Sequence, residues 1–295
     1  MSEQSKIAHS KGRAVQSVGP HRRCDIVADF VLTGRAPHFD RGERECFGLA
    51  LSDLRAMLGP AARVVDCGAF AGHWLACVVE ALERPKAGIT LSKSAGDRNN
   101  VRARDSRGRE GETTAQFTHV AHDMLDPSWP LEAIGAGKTL ALLTGGEFGF
   151  LGTRQAFTFL ENASNALSQG DFVALALECP RDGAILEAIY EDFLRQFANS
   201  GLASGNGGGK IEGFDVRSFY DPLTTSIKFG ACAVKPGSVS INGEVHAMKQ
   251  GDWIDLGAVM LFDDVAHREF HPDFSVNTHW ASSDRSIALV LLQKR

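Results

Sequence analysis

Apolar positions cluster in short continuous runs through the first two thirds of the chain and in alternating runs after about residue 225, and this change divides the sequence. Residues 63 to 67, 86 to 91, 116 to 121, 138 to 143 and 171 to 178 form short apolar blocks that predict strands. Helical spacing over 73 to 83 and 153 to 168 predicts helices between some of them, and 92 to 113 is polar. Strands alternating with helices imply a parallel sheet with crossover helices. The block Asp171-Phe-Val-Ala-Leu-Ala-Leu-Glu178 is almost wholly apolar, as a central strand covered on both faces must be. Upstream, residues 1 to 22 are polar and read as a loose tail. Cys24 to Leu58 has helical spacing broken by Gly34-Arg-Ala-Pro37, which predicts two short helices.

Arg181 to Ser200 reads as a further helix, followed by a glycine-rich connector at Gly201 to Gly209. A phosphate loop is excluded there, because Lys210 is followed by Ile211 and no helix opens. Ser226 to Val234 and Val239 to His246 then alternate like antiparallel strands, with Lys235-Pro-Gly237 as the expected hairpin turn. Asp255 to Glu269 predicts a helix. Phe274 to Trp280 and Arg285 to Leu292 predict a final strand pair around Ala281-Ser-Ser-Asp284. The expected organisation is a tail at 1–22, one sheet domain from 23–180 and 251–295, and an inserted lobe at 181–250 placed over the carboxyl ends of the strands, where a substrate pocket belongs.

Composition narrows the function. Hydrophobic residues make up 43% and charged residues 23%, an ordinary globular balance, and the net charge of -5 offers no overall field for nucleic acid or an anionic membrane. The six cysteines are scattered without a C-x-x-C pair, which favours free thiols over a disulfide framework or a zinc site. His267 and His271 have metal-like spacing, but no third ligand accompanies them, and surface histidines are the expectation. Neither a signal-peptide core nor an apolar run of about 18 residues is present, so a cytoplasmic protein is expected.

The stretch that promises chemistry is Arg63-Val-Val-Asp-Cys-Gly-Ala-Phe-Ala-Gly-His-Trp74. A buried strand ends at Asp66, and Gly68 and Gly72 let the backbone turn tightly towards a ligand beyond the strand's carboxyl end. The spacing D-x-G-x-x-x-G suits the first strand and turn of a Rossmann-like methyltransferase sheet, although Phe70 stands at the usual middle glycine. Asp66 has a second reading, as a cap on the glycine turn through backbone amides.

Further matches extend along the chain. Gly145-Gly-Glu-Phe-Gly-Phe-Leu151 looks like a Gly-Ser-Thr-Ile-Gly-Asn-Leu turn, Ala188-Ile-Tyr-Glu-Asp192 like Ala-Tyr-x-Asp, and Ile241-Asn-Gly-Glu-Val-His246 like Ile-x-Thr-Glu-x-Ser. With Trp280 and Ser282-Ser-Asp284 before the last strand, the chain from about residue 36 onward resembles the histidine-specific methyltransferase family. The best-known member of that family trimethylates the α-amino group of histidine in ergothioneine biosynthesis. The resemblance implies an α/β fold, a Rossmann-like class I methyltransferase sheet with an inserted small α+β substrate-binding lobe, and S-adenosyl-L-methionine as cofactor.

Carried over residue by residue, the resemblance assigns Asp66, Gly68, Phe70, Gly72, Ser92, Asp123 and Met124 to the cofactor. Ser92 replaces the family's ribose-binding aspartate, Met124 an aromatic residue beside adenine, and Trp74 a lysine near the cofactor. It assigns Phe39, Phe150, Tyr190, Glu244 and His246 to the acceptor, with Glu244, His246 and Tyr190 also as catalytic candidates. Glu244 and His246 lie two apart on a predicted strand and so share a face, where they can accept a proton; the plainer alternative is that both face water on a hairpin. Phe150 replaces an asparagine that grips the amino-acid group of histidine. A phenyl ring has none of an amide's donors or acceptors, so the expected acceptor is a heteroaromatic ring or a modified amino acid. Three other readings stay open: a histidine Nα-methyltransferase, a non-catalytic binding protein that keeps the fold without the cofactor, and a Rossmann oxidoreductase. The last is disfavoured by the absence of G-x-G-x-x-G.

Overall fold

The computed structural model describes residues 37–59, 62–68, 74–75, 78, 82, 87–92, 117–134, 136–181, 185–186, 188–191, 213–241, 244–263 and 270–295. The expected tail, the first of the two short helices, the polar stretch 93–113 and the glycine-rich connector lie outside these residues. The chain divides into two compact units, one of Val27–Pro180 with Met260–Arg295 and the other containing Arg181–Val259.

The larger unit is built on a seven-stranded sheet. Its parallel strands are β1 (Arg63–Cys67), β2 (Ala87–Ser92), β3 (Phe117–Ala121), β4 (Thr139–Leu143) and β5 (Phe172–Glu178). A terminal hairpin of β11 (Phe274–Ala281) and β12 (Ile287–Lys294) completes it. The spatial order is β11-β12-β5-β4-β1-β2-β3, with β12 antiparallel to both β5 and β11. The order reverses beside β1: β2 lies on one side of it and β4 on the other, and a crevice at such a switch point is where this kind of sheet takes its ligands. Every residue of β4 and β5 is buried, which is why their sequences are apolar without alternation. Asp171 ties the start of the two strands together, accepting from Thr139 N and Ser168 N at 2.8 Å each.

Helix α1 (Pro37–Leu58) is one continuous helix of 22 residues. Pro37 stands at its start, as suits a residue without an N–H to satisfy. Its buried stripe of Phe39, Cys46, Phe47, Ala50, Leu54 and Leu58 follows helical spacing. The helix docks on the terminal hairpin. Gly42 admits the Ile287 side chain where a Cβ would collide with it, and Cys46 Sγ donates to the Ile287 carbonyl at 3.5 Å. Arg41 pairs with Asp284 at 2.9 Å, Glu45 accepts from Ser283 N and Oγ, and Trp280 Nε1 donates to Asp53. Helices α2 (Glu147–Phe150) and α3 (Gly152–Ala166) connect β4 to β5.

The smaller unit holds β6 (Phe214–Asp221), β7 (Ser226–Ala233), β8 (Gly237–Ile241), β9 (Glu244–Met248) and most of β10 (Trp253–Met260). Two expectations are corrected here. The helix expected from Asp255 begins instead as strand β10, which joins β7 in the three-stranded sheet β10-β7-β6. Gly257, at φ 107, is far from helical geometry, and Gly230 of β7 leaves the space that the Trp253 indole fills. The expected hairpin between 226–234 and 239–246 is absent as well. β7 pairs with β6, a strand the sequence reading missed, and 239–246 is split between β8 and β9, which pair with each other from Ile241↔Glu244 outward. The residues between them are Asn242-Gly243, the dipeptide most favoured in two-residue hairpins.

Candidate active site

At the carboxyl end of β1, Asp66 is fully buried and Gly68 turns the chain at φ 91, its N–H donating to Leu91 O at 3.1 Å. No side chain fits at residue 68. A Cβ there would run into the Glu147 carboxylate and Leu143, so glycine is required by both backbone and space. Burial pushes the Cys67 thiol well above its ordinary range, and the nearby carboxylates of Asp66 and Glu147 add to the effect. That thiol is no nucleophile at neutral pH.

At the carboxyl end of the adjacent β4, Gly145 and Gly146 follow one another at φ 70 and 71 before α2 begins. The Phe39 ring of α1 occupies the place a Cβ on Gly146 would take. One turn along α1, Glu43 is 2% exposed; its Oε1 accepts from Gly145 N at 2.5 Å and its Oε2 from Trp74 Nε1 at 2.7 Å. The Trp74 indole stacks on Phe47 at 5.2 Å, with the Arg44 guanidinium 6.0 Å from its centre. Burial raises the Glu43 carboxyl from 4.5 to about 7, outweighing the hydrogen bonds from Trp74, Gly145 and Gly146 that lower it, while Asp40 raises it further. Phe150 closes α2 and is 3% exposed.

The structure thus brings Asp66, Gly68, Phe39 and Phe150 to the carboxyl ends of β1 and β4 and the turn between β4 and α3. Asp123 and Met124 follow β3 at the same end of the sheet. Asp123 Oδ1 accepts from Leu125 N at 3.0 Å, and buried Met124 accepts Trp129 Nε1 at its carbonyl. Phe70 and Gly72 lie outside the described residues, as do the side chains of Ser92, which ends β2, and Glu244, which opens β9. In the other unit, buried Tyr190 packs on Phe229 of β7 at 5.5 Å. His246 sits on β9, on the same face as Met248, which is 3% exposed, whereas Val245 on the opposite face is 69% exposed. So the face carrying His246 is the covered one.

Glu43 was missed by the sequence reading. Its signal is a charged residue at a core position of the α1 stripe, four residues after Phe39 and four before Phe47. Among the described residues, no group of three or more histidine, cysteine or acidic side chains could hold a metal ion. No described helix is long and apolar enough to cross a membrane.

A sheet reversing beside β1, a bare glycine turn at Gly68, and carboxylates at the ends of β1 and β3 fit S-adenosylmethionine, whose adenosine and methionine parts need hydrogen-bond acceptors and close backbone approach. Such a sheet and turn are those expected of a class I methyltransferase dependent on that cofactor. The sequence match is specific to one family: the model described as histidine-specific, SAM-dependent methyltransferase covers residues 41–294, and the chain belongs to that family. No curated protein matches it. Solved structures resemble the chain distantly. The sugar N-methyltransferase KedS8 from Streptoalloteichus is 13% identical at TM-score 0.45, covering 97% of each chain. The CcbJ methyltransferase from Streptomyces caelestis is 11% identical at TM-score 0.45, covering 83% of this chain and 88% of that one. A methyltransferase from Clostridium acetobutylicum is 7% identical at 0.46, covering 89% and 96%. The family assignment rests on the sequence match alone.

Proposed function

We propose that this methyltransferase transfers a methyl group to nitrogen on a small metabolite, a heteroaromatic ring or a modified amino acid of specialised metabolism, rather than to free histidine. The observation that supports the reading is Phe150. It ends the glycine turn after β4, buried, at the position that holds an amide in the resembling family. A buried phenyl ring cannot hydrogen-bond an ammonium or a carboxylate, and burying those charges without partners costs several kcal/mol, on the order of 2 to 7 for a polar group alone. A flat, less charged acceptor loses nothing against the same ring.

The cofactor, when bound, supplies an electrophilic methyl group on a sulfonium. The chain's own contribution is alignment, since direct displacement by a nitrogen lone pair needs little covalent help. Asp66, the Gly68 turn and Asp123, with Phe70, Gly72, Ser92 and Met124, are the proposed cofactor contacts. Phe39 and Phe150 are proposed to contact the acceptor, and Tyr190, Glu244 and His246 to bind it and take up the proton of a protonated nitrogen. His246 is half-buried, on the same face of β9 as buried Met248, a placement compatible with this role.

Two experiments test the reading. Calorimetry with S-adenosylhomocysteine should show binding, and none at millimolar ligand would remove the cofactor assignment. Incubation with labelled S-adenosylmethionine and a panel of histidine, other amino acids and nitrogen heterocycles should label heterocycles or modified amino acids. Efficient methylation of free histidine would refute the inference drawn from Phe150.

A further inference from the structure

The buried carboxylate of Glu43 has no part in the roles assigned above, yet it touches both of the segments that form the site. One oxygen holds Gly145 N, in the turn that leads to Phe150, and the other holds Trp74 Nε1, in the segment that follows the Gly68 turn. Three elements distant in sequence meet on one side chain: α1, the chain after β1 and the turn after β4. Phe39 from the same helix packs on Gly146, so α1 contacts the glycine turn at two successive helical positions.

We propose that Glu43 is a positioning residue for this site: its ionised carboxylate clamps Trp74 to the Gly145-Gly146 turn and thereby sets the affinity for the cofactor. The proposal rests on the cofactor reading above and adds to it a residue and a dependence on pH.

The chemistry of the clamp explains why ionisation matters. Both partners are neutral N–H donors with fixed directions, so both carboxyl oxygens must accept. A carboxylate does this with two equivalent, negatively charged oxygens, and charge-assisted hydrogen bonds of this type are about twice as strong as neutral ones. Once protonated, one oxygen carries a hydrogen that points at a neighbour which is itself a donor, and one grip is weakened. The charged neighbours do not hold the ionised form in place. Asp40, on the same helix, opposes it. Arg44 directs its guanidinium over the Trp74 ring, and Arg41 is engaged with Asp284 and Glu45. At the far side of the turn stand Glu147 and Cys67, the latter kept protonated by burial. With its carboxyl raised to about 7, Glu43 switches between gripping and loosened forms around neutrality.

If only the gripping form binds well, apparent affinity follows the ionised fraction, and lowering the pH from 8 to 6 weakens binding about tenfold. The test is calorimetry of the full chain with S-adenosylhomocysteine between pH 6 and pH 8.5. The wild type should show that loss. Glu43→Gln keeps the shape but puts an NH2 group against one donor; it should bind at least about fivefold more weakly at pH 8 and with no pH dependence. Trp74→Phe keeps the acid and removes one donor, so reduced affinity with the pH dependence retained is expected. As a spectroscopic check, the tryptophan emission of the wild type should change around pH 7, and Trp74→Phe should abolish that change. The wild-type profile and Trp74→Phe carry the test if Glu43→Gln fails to fold. Wild-type binding that is flat from pH 6 to 8, or Glu43→Gln with the wild-type profile, overturns the proposal alone. Absence of wild-type binding at every pH overturns it together with the cofactor reading.

Discussion

Glu43 accepts two hydrogen bonds and Asp221 three, and their carboxyls move in opposite directions. Glu43 takes Trp74 Nε1 and the backbone N–H of Gly145, and is raised to about 7. Asp221, at the β6–β7 turn, takes the Lys228 ammonium, the Thr224 hydroxyl and Leu223 N, and is lowered to about 2, the lysine contributing most. The sign is set by solvent and by a cation more than by the number of donors. Asp221 stays near water with a lysine beside it, so its charge is secure and its task is to shape a turn. Glu43 has left water for neutral donors, so its charge is costly and can be lost around neutral pH.

The sharpest way to break this contrast is to give Glu43 what Asp221 has. Trp74→Lys places an ammonium against the buried carboxylate, and the Glu43 carboxyl should fall from about 7 to below its ordinary 4.5. Carbon-13 titration of the glutamate carboxyls would show this, and a resonance still titrating near 7 would contradict it. Next in size is Glu43→Gln. A carboxyl raised on folding makes the native chain bind more protons than the unfolded chain between 4.5 and about 7. Its contribution is therefore fully present below pH 4.5 and is lost as the pH rises through 7. Relative to the glutamine variant, the wild type should gain about 3 kcal/mol between pH 8.5 and pH 4, read from urea denaturation at both pH values.

On the other side of the comparison the effects are smaller. Lys228→Met should return Asp221 from about 2 towards its ordinary 3.8, measured by NMR titration. The sign is opposite to that of Glu43: the stabilising contribution of Asp221 is present above pH 3.8 and lost as the pH falls through 2, so the variant moves that loss to higher pH. Thr224→Ala should produce a smaller rise in the same titration, because Lys228 and Leu223 N remain.

The parallel sheet was legible in the sequence because strands buried on both faces must be apolar throughout, as β4 and β5 are, and because the glycine turns at Gly68 and Gly145-Gly146 have no substitute at positive φ. The smaller unit was less legible. Apart from β7 its strands are largely half-buried or exposed, so alternation marks them only in part: β6, with Asp215, Arg217 and Tyr220, has no clear strand pattern, and β10 with Gly257 reads as helix. Asn242-Gly243 was available as a turn signal and was read through as strand. Among the proposed site residues, Asp66, Phe39 and Phe150 are singled out in the sequence by matching motifs. Glu43 was hidden for a physical reason: periodicity looks for apolar residues in a buried stripe, and a carboxylate that belongs there for its hydrogen bonds breaks the pattern instead of joining it.

Helix α1 also carries a consequence for the order in which the molecule is made. The helix that supplies Phe39 and Glu43 rests on β11 and β12, and its contact with Ile287 spans 241 residues of chain. During synthesis that helix emerges early, and its seat on β11 and β12 is complete only once that hairpin has been made and has paired with β5. Closing so long a loop is among the slower events of folding. The helix that carries the proposed clamp on Trp74 and the glycine turn is therefore fully seated only late, after β11 and β12 have joined the sheet.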